Sequence, residues 1–134
     1  MTNCIFCKII NKQIPCFKIY ENKYVLSFLD INPILKGHIL VIPKKHFTNV
    51  LDTDDFYLSE VIKVVKLISN NIKQKLNCDG INILNASGKA AEQSVMHLHF
   101  HILPRYDNDK LNTFPKTKYI KKDLTEIQKI LKID

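Results

Sequence analysis

The sequence predicts an antiparallel α+β domain. Two observations carry the prediction. Five short strand-like runs outnumber the helices, and they are joined by hairpin-sized connections or by one long amphipathic stretch over residues 52–77. A parallel sheet would need a helical crossover between most of its strands, and the chain does not supply them.

The elements follow in order. "TNCIFCKIIN" reads as a short helix capped by Asn3 or Thr2, with Ile5, Phe6, Ile9 and Ile10 on one side. "FKIYENKYVLSFLD" reads as a hairpin turning at Glu21-Asn22-Lys23. Asn32-Pro33 and Lys36-Gly37 mark a turn, and "HILVIP" (38–43) is a third strand rich in β-branched residues. The long helix is expected to be capped by Asp52 or Thr53. Leu58, Val61, Ile62, Val65, Ile68, Ile72 and Leu76 lie at helical spacing on its buried face, and Asn77 to Gly80 stop it. "GINILNA" is a fourth strand, "SGKAAEQS" a small-residue loop, and "VMHLHFHILP" (95–104) a fifth strand ended by Pro104. A final helix is expected from Asp123, with Glu126 completing a capping box. Residues 105–120 read as the least ordered. The whole chain, 1–134, reads as a single domain with its core over 3–105 and an extension over 106–134.

Composition narrows the class. At 134 residues and 46% hydrophobic, the chain can bury a core of its own. No apolar run approaches the ~20 residues of a membrane span, and "MTNCIFCKII" lacks the basic and long apolar regions of a secretory signal. The expectation is a cytoplasmic protein without a membrane partner, its four cysteines reduced. The net charge of +7 comes almost wholly from dispersed lysines, with Lys121-Lys122 the only run in the tail. Arg105 is the one arginine, so a nucleic-acid partner is not expected.

"VMHLHFHILP" holds the chemistry. Alternate side chains of a strand share a face, so His97, His99 and His101 are expected to point one way. Met96, Leu98, Phe100 and Ile102 point the other way, into the core. Imidazoles about 7 Å apart suit a row of groups along an extended anionic ligand. Solvated strand faces mix Thr, Lys, Glu and Ser, so three histidines with no other polar type point to a site. Attack on phosphorus needs a neutral ring with one tautomer fixed by a carbonyl acceptor, leaving the other nitrogen's lone pair free. Cys4-x-x-Cys7 puts two thiols on one helical face; alone it fits a redox pair, a metal site or two buried thiols. His46 and His97 are candidates to complete a Cys₂His₂ set. Cys16 and Cys78 read as buried or neutral, and His38 as structural.

"CIFCKIINKQIP", "FLDINPILKGHILVIPKKH" and "QSVMHLHFHILPR" together resemble the histidine triad (HIT) family of nucleotide hydrolases and transferases, in its Hint-like, zinc-bearing branch. The resemblance implies a HIT-like five-stranded antiparallel sheet with a short N-terminal, a long and a C-terminal helix. It implies a covalent nucleotidyl-histidine mechanism at the α-phosphorus of a purine nucleotide or nucleoside phosphoramidate, with AMP released. His99 would be the nucleophile, His101 would contact the phosphate, and Ser94 would hydrogen-bond near the leaving group. Gln93 and Asn85 would line the phosphate end. Asp30 would accept from the ribose hydroxyls, while Ile5, Phe6, Ile9, Phe28 and Ile31 would wall the purine. Structural zinc on Cys4, Cys7, His46 and His97, no catalytic metal, and a homodimer are further implications. A dinucleoside polyphosphate hydrolase and a zinc-containing nucleotide-binding scaffold with vestigial catalysis are the alternatives. One departure stands out: Glu92 precedes Gln93 where relatives carry glycine, which lets backbone amides approach a phosphate.

Overall fold

The computed structural model describes residues 3–120 and 124–134. The elements are α1 (Ile5–Ile10), β1 (Lys18–Glu21), β2 (Val25–Leu29), β3 (Ile39–Pro43), α2 (Asp55–Leu76), β4 (Gly80–Leu84), a 3₁₀ turn (Lys89–Ala91), β5 (Phe100–Arg105) and α3 (Leu124–Leu131). The strands form one sheet in the order β1-β2-β3-β5-β4, and every pair is antiparallel. This is the α+β architecture the sequence predicts. No helix among the described residues is long and apolar enough to cross a membrane.

Both faces of the central strands are covered. Val25, Ile39, Val41, Phe100 and Ile102 face α2, joined there by Val61, Val64, Val65, Ile68 and Ile72. Leu26, Phe28, Leu40 and Ile42 face the other way, against Phe6 of α1. Two buried faces explain why β2 and β3 read as near-continuous apolar runs. His97 and His99, just ahead of β5, and His101 within it lie on the α1 face.

Several boundaries differ from the sequence reading. α1 is capped by Cys4, whose Sγ accepts from Cys7 N at 3.4 Å; Asn3 is not the cap, and Thr2 lies outside the described residues. α2 is capped by Asp54, which accepts from Tyr57 N. Asp52 instead accepts from Thr48 N and Asn49 N, and the Thr53 hydroxyl donates to Asn49 O, so both close the loop ahead of the helix. On α2, Ile62 is exposed and Val64 takes the buried place, because Val61, Val64, Val65, Ile68 and Ile72 form one stripe at about 3.6 residues per turn and Ile62 lies to its side. Asn77, in the left-handed region at φ 50°, ends α2 as expected.

The fifth strand starts later and ends later than expected. Before Phe100 the chain leaves the β3 ladder, and Leu98 N donates to Phe47 O at 2.7 Å. Met96 is 45% exposed and not part of the core. Pro104 lies inside β5: pairing to β3 stops at Ile102, so at Pro104 only β4 is opposite and the missing N–H breaks no ladder on the β3 side.

The segment after β5 is held more firmly than its composition suggests. The Arg105 guanidinium makes a bidentate pair with Asp109 at 2.7 and 2.9 Å, and also donates to Asn82 Oδ1 and the Leu111 carbonyl. α3 leaves Leu124, Ile127, Ile130 and Leu131 exposed. The expected cap Asp123 lies outside the described residues.

At the other sheet edge, Lys44 (2.7 Å) and Lys18 (3.0 Å) share the Glu21 carboxylate and hold its pKa down to about 2, from an ordinary 4.5. A depressed folded pKa stabilises fully above about pH 4.5 and is lost as the pH falls toward 2. Glu21→Gln is therefore expected to lower the melting temperature at pH 7, with the gap to wild type closing between pH 4.5 and 2 in thermal melts.

Candidate functional site

A cleft of about 330 Å³ opens on the α1 face. Its apolar walls include Ile5, Phe6, Ile9, Phe28 and Ile31, and Asp30, Ser94, His99 and His101 supply its polar groups. Phe6 is wedged edge-on against Phe28 (5.7 Å between centroids) and His99 (5.3 Å), so the helix core and the histidine share one contact. Asp30 follows the end of β2. Its Oδ1 accepts from Asn32 N at 2.8 Å, and its Oδ2 lies 3.5 Å from His38 Nε2.

The hydrogen bonds assign the imidazole tautomers. His99 Nδ1–H donates to the His97 carbonyl at 2.7 Å, which leaves the Nε2 lone pair free. Ile34 N–H donates to His38 Nδ1 at 3.2 Å, so His38 carries its proton on Nε2. That proton is donated to His101 Nδ1 at 2.8 Å, and His101 in turn carries its own on Nε2. The site thus pairs a lone pair on His99 with an N–H donor on His101, their ring centroids 5.0 Å apart. Burial pushes His99 and His38 below the ordinary imidazole range. It pushes His101 to about 4, with His99 and His38 adding to the effect. In each case burial favours the neutral ring, the form that attack through nitrogen requires.

His38 is the residue whose role sequence reasoning missed. It is buried and structural in the ordinary sense, yet its position decides which nitrogen of His101 donates. The only sequence signal was a histidine opening the third strand. Asp30, His38 and His101 also lie close enough to suggest a cation, but Ile34 N–H occupies one His38 nitrogen and His101 the other.

Asn85 and Gln93 are the two expected lining residues that the cleft does not take in. Asn85 Nδ2 donates to the His99 carbonyl at 2.9 Å and so steadies the backbone of the candidate nucleophile. Gln93 is buried, its Oε1 accepting from Gly88 N and its Nε2 donating to Thr48 O and Val95 O. Its amide is used up in bracing the loop. Glu92 sits at φ 69°, in the left-handed region where glycine is at ease. Cys16, read from sequence as buried or neutral, lines the cleft together with Ile14 and Pro15.

A second constellation lies behind the first. Cys4, Cys7, His46 and His97 bring four ligand atoms within 4.8 Å of one another. Cys4 Sγ is 3.3 Å and Cys7 Sγ 3.6 Å from His97 Nδ1, Cys7 Sγ is 3.4 Å from His46 Nδ1, and the two Nδ1 atoms are 3.1 Å apart. A tetrahedral zinc with bonds of about 2.3 Å to sulfur and 2.0 Å to nitrogen puts ligands about 3.3–3.8 Å from each other. His97 Nε2–H donates to Pro43 O at 2.9 Å, which turns its Nδ1 lone pair toward the cluster. The donor set fits zinc. Burial, with Cys4 adjacent, pushes the Cys7 thiol up to about 11, and a cation there would draw it back to thiolate.

The family model for the HIT domain matches residues 11–108. The chain belongs to the HIT domain family. A HIT-like protein of Methanocaldococcus jannaschii is 48% identical over 96% of this chain and 98% of its own length. A Candida albicans protein named adenosine 5'-monophosphoramidase is 43% identical over 78% of this chain and 72% of its own. Among solved structures, a zinc-bound histidine triad family protein of Mycobacterium smegmatis matches with a TM-score of 0.80 and 39% identity, over 84% of this chain and 81% of that one. Cys4 and Cys7 precede the matched range, so in this HIT domain their pairing with His46 and His97 rests on geometry.

Two outcomes test the site. Purified protein is expected to carry about one zinc per chain by elemental analysis, and Cys7→Ser to lose it and to melt at lower temperature. In ¹⁵N-detected imidazole spectra, His101 is expected to be protonated on Nε2 alone, and His38→Phe to populate both tautomers.

Proposed function

We propose that this HIT protein is a nucleoside phosphoramidase that releases AMP through a nucleotidyl-His99 intermediate. The observation that supports it most is the His99 Nε2 lone pair, fixed by the Nδ1–H bond to the His97 carbonyl, on the wall of a cleft with a carboxylate, Asp30, at its rim. The similarity to a protein named adenosine 5'-monophosphoramidase points the same way.

In this reading the purine enters between Phe6, Ile9, Phe28 and Ile31, with Ile5 at the mouth, and the ribose hydroxyls donate to Asp30. His101 Nε2–H donates to a phosphoryl oxygen. His99 Nε2 attacks the α-phosphorus. The P–N bond of the substrate breaks as the P–Nε2 bond forms, and the amine keeps the electron pair and takes a proton relayed by the Ser94 hydroxyl from solvent. Positive charge on the His99 ring is stabilised by the His97 carbonyl. Water then adds to phosphorus, the electron pair returns to Nε2, AMP leaves, and the water protons pass to solvent. Cys4, Cys7, His46 and His97 would hold zinc, which supplies structural cross-linking rather than a reacting group because four protein ligands leave no open position. The homodimer implied by the resemblance belongs to the same proposal; the exposed Ile83 on edge strand β4 supports it.

His99→Ala is expected to cut AMP release from an AMP-amide at least about 10³-fold, and rapid quenching of wild type to trap adenylyl-His99. Full turnover in the variant, or an adduct elsewhere, overturns the reading. A diadenosine polyphosphate hydrolysed faster than the amide would favour the hydrolase alternative, and tight AMP binding without turnover the scaffold. Asp30→Ala is expected to weaken AMP binding about 10- to 100-fold, with little effect on 2',3'-dideoxy-AMP, measured by calorimetry.

A further inference from the structure

A hollow of about 440 Å³ opens beside the Cys₂His₂ set, with Asn3, Cys4, Ile5, His46, Thr48 and Met96 on its walls. It exposes one sulfur of the set: Cys4 lines it and Cys7 does not. We infer that Cys4 and Cys7 are an oxidation site as well as a metal site. A peroxide entering by this hollow closes them into a disulfide, and the bridge releases the zinc and slackens the nucleotide cleft. The effect on the nucleotide rests on the function proposed above; the thiol chemistry does not.

Three observations carry it. The first is proximity within one short segment. The two sulfurs lie within 4.8 Å of one another, and Cys4 Sγ accepts from Cys7 N at 3.4 Å. Cys4 is the N-cap of α1, with extended backbone at φ −82° and ψ 118°, and its sulfur folds back over the first turn. A bridge between residues three apart asks for a shift of this turn alone. The other cysteines have different surroundings: Cys78 is buried with α2 and Cys16 is on the wall of the cleft. The second is access. Fully enclosed cysteines are inert, whereas Cys4 and Cys7 are both half-buried. Apolar surface from Ile5 and Met96 and neutral polar groups from Asn3 and Thr48 suit a small uncharged oxidant. The third is coupling. His97 Nδ1 lies 3.3 Å from Cys4 Sγ and 3.6 Å from Cys7 Sγ, and the carbonyl of the same residue orients His99. Phe6, between the two cysteines in sequence, stands edge-on to the rings of His97 and His99, 5.8 and 5.3 Å between centroids. A change in the Cys4–Cys7 turn therefore reaches the cleft by two routes.

The Cys4 thiolate attacks hydrogen peroxide. The O–O bond breaks as the S–O bond forms, Cys4 becomes a sulfenic acid, and the departing hydroxide takes a proton to become water. The Cys7 thiolate then attacks the Cys4 sulfur. The S–S bond forms, the S–O bond breaks, and a second hydroxide leaves and is protonated to water. Two electrons pass from the pair of sulfurs to the peroxide. A disulfide offers no thiolate, so two of the four zinc ligands are lost together, and His46 and His97 alone do not make a closed site. Reduction by a dithiol returns both thiols and lets the site refill.

The test treats the purified, zinc-loaded protein with hydrogen peroxide. Zinc is expected to appear in solution, read with a zinc-binding dye, in step with the loss of thiols. The tryptic peptide over residues 1–8, which holds both cysteines, should lose the mass of two hydrogens. AMP affinity by calorimetry should fall several-fold and return once a dithiol and zinc are added. Cys16→Ala should respond as wild type does; a response lost in that variant places the effect on the cleft wall and overturns the proposal. Protein isolated without zinc, thiols that survive excess peroxide, a bridge to Cys16 or between two chains, or zinc retained as the thiols oxidise also overturns it. So does unchanged AMP affinity in bridged, zinc-free protein, a result that leaves the phosphoramidase reading intact. Conversely, wild type that releases no AMP from an AMP-amide sinks that reading, while the bridge, the zinc release and the change in AMP affinity still support the oxidation site.

Discussion

One hydrogen bond, from His99 Nδ1–H to the carbonyl of His97 at 2.7 Å, sets the chemistry available to this protein. It decides which nitrogen of a neutral imidazole has a lone pair to offer, and it provides an acceptor for the charge that attack would place on the ring. His97 is anchored at both ends. Its Nε2–H is fixed to Pro43 O, and its Nδ1 faces the two cysteines and His46. The carbonyl that orients His99 therefore belongs to a residue whose ring is held by the sheet on one side and by the Cys₂His₂ set on the other.

That arrangement also explains how so short a helix can wall a binding cleft. Six residues are too few for an independent helix in water. α1 buries only Phe6, worth about 2 kcal/mol. Cross-linking through Cys4 and Cys7 would add far more, since structural zinc sites contribute on the order of 10 kcal/mol. Phe6 touches both Phe28 and His99, so any loosening of α1 would reach the apolar wall of the cleft and the candidate nucleophile together.

The end of the cleft formed by Ser94, His99 and His101 is assembled from neutral groups. Nineteen lysines give the chain most of its positive charge, yet among the described residues none lines the cleft, and those beside His46 are engaged elsewhere. A monoanionic phosphodiester-like group can be held by the His101 N–H and the Ser94 hydroxyl, whereas a longer polyphosphate would call for cations. The choice of donors in the site thus bears on which substrates it can serve.

Much of this was legible in the linear chain. Strand periodicity gave the antiparallel sheet, helical spacing gave α2, and the alternation in "HLHFH" together with Cys4-x-x-Cys7 marked the two constellations. Side-chain pattern is local, and these features depend on it. Other features depended on partners distant in sequence. Asp30, Ile5, Phe6, Ile9, Phe28 and Ile31, far apart in sequence, come together on one cleft. Gln93 turned inward because Gly88, Thr48 and Val95 together satisfy both its amide protons and one lone pair of its oxygen. Met96 fell outside the core because the chain leaves the β3 ladder to meet Phe47. His38 gained its role from His101, 63 positions away. The sequence by itself determined which chemical groups the protein owns and which face of each element they share. Only the tertiary structure decided which nitrogen of each imidazole carries the proton, because a tautomer is set by the hydrogen-bond partner that packing brings to it.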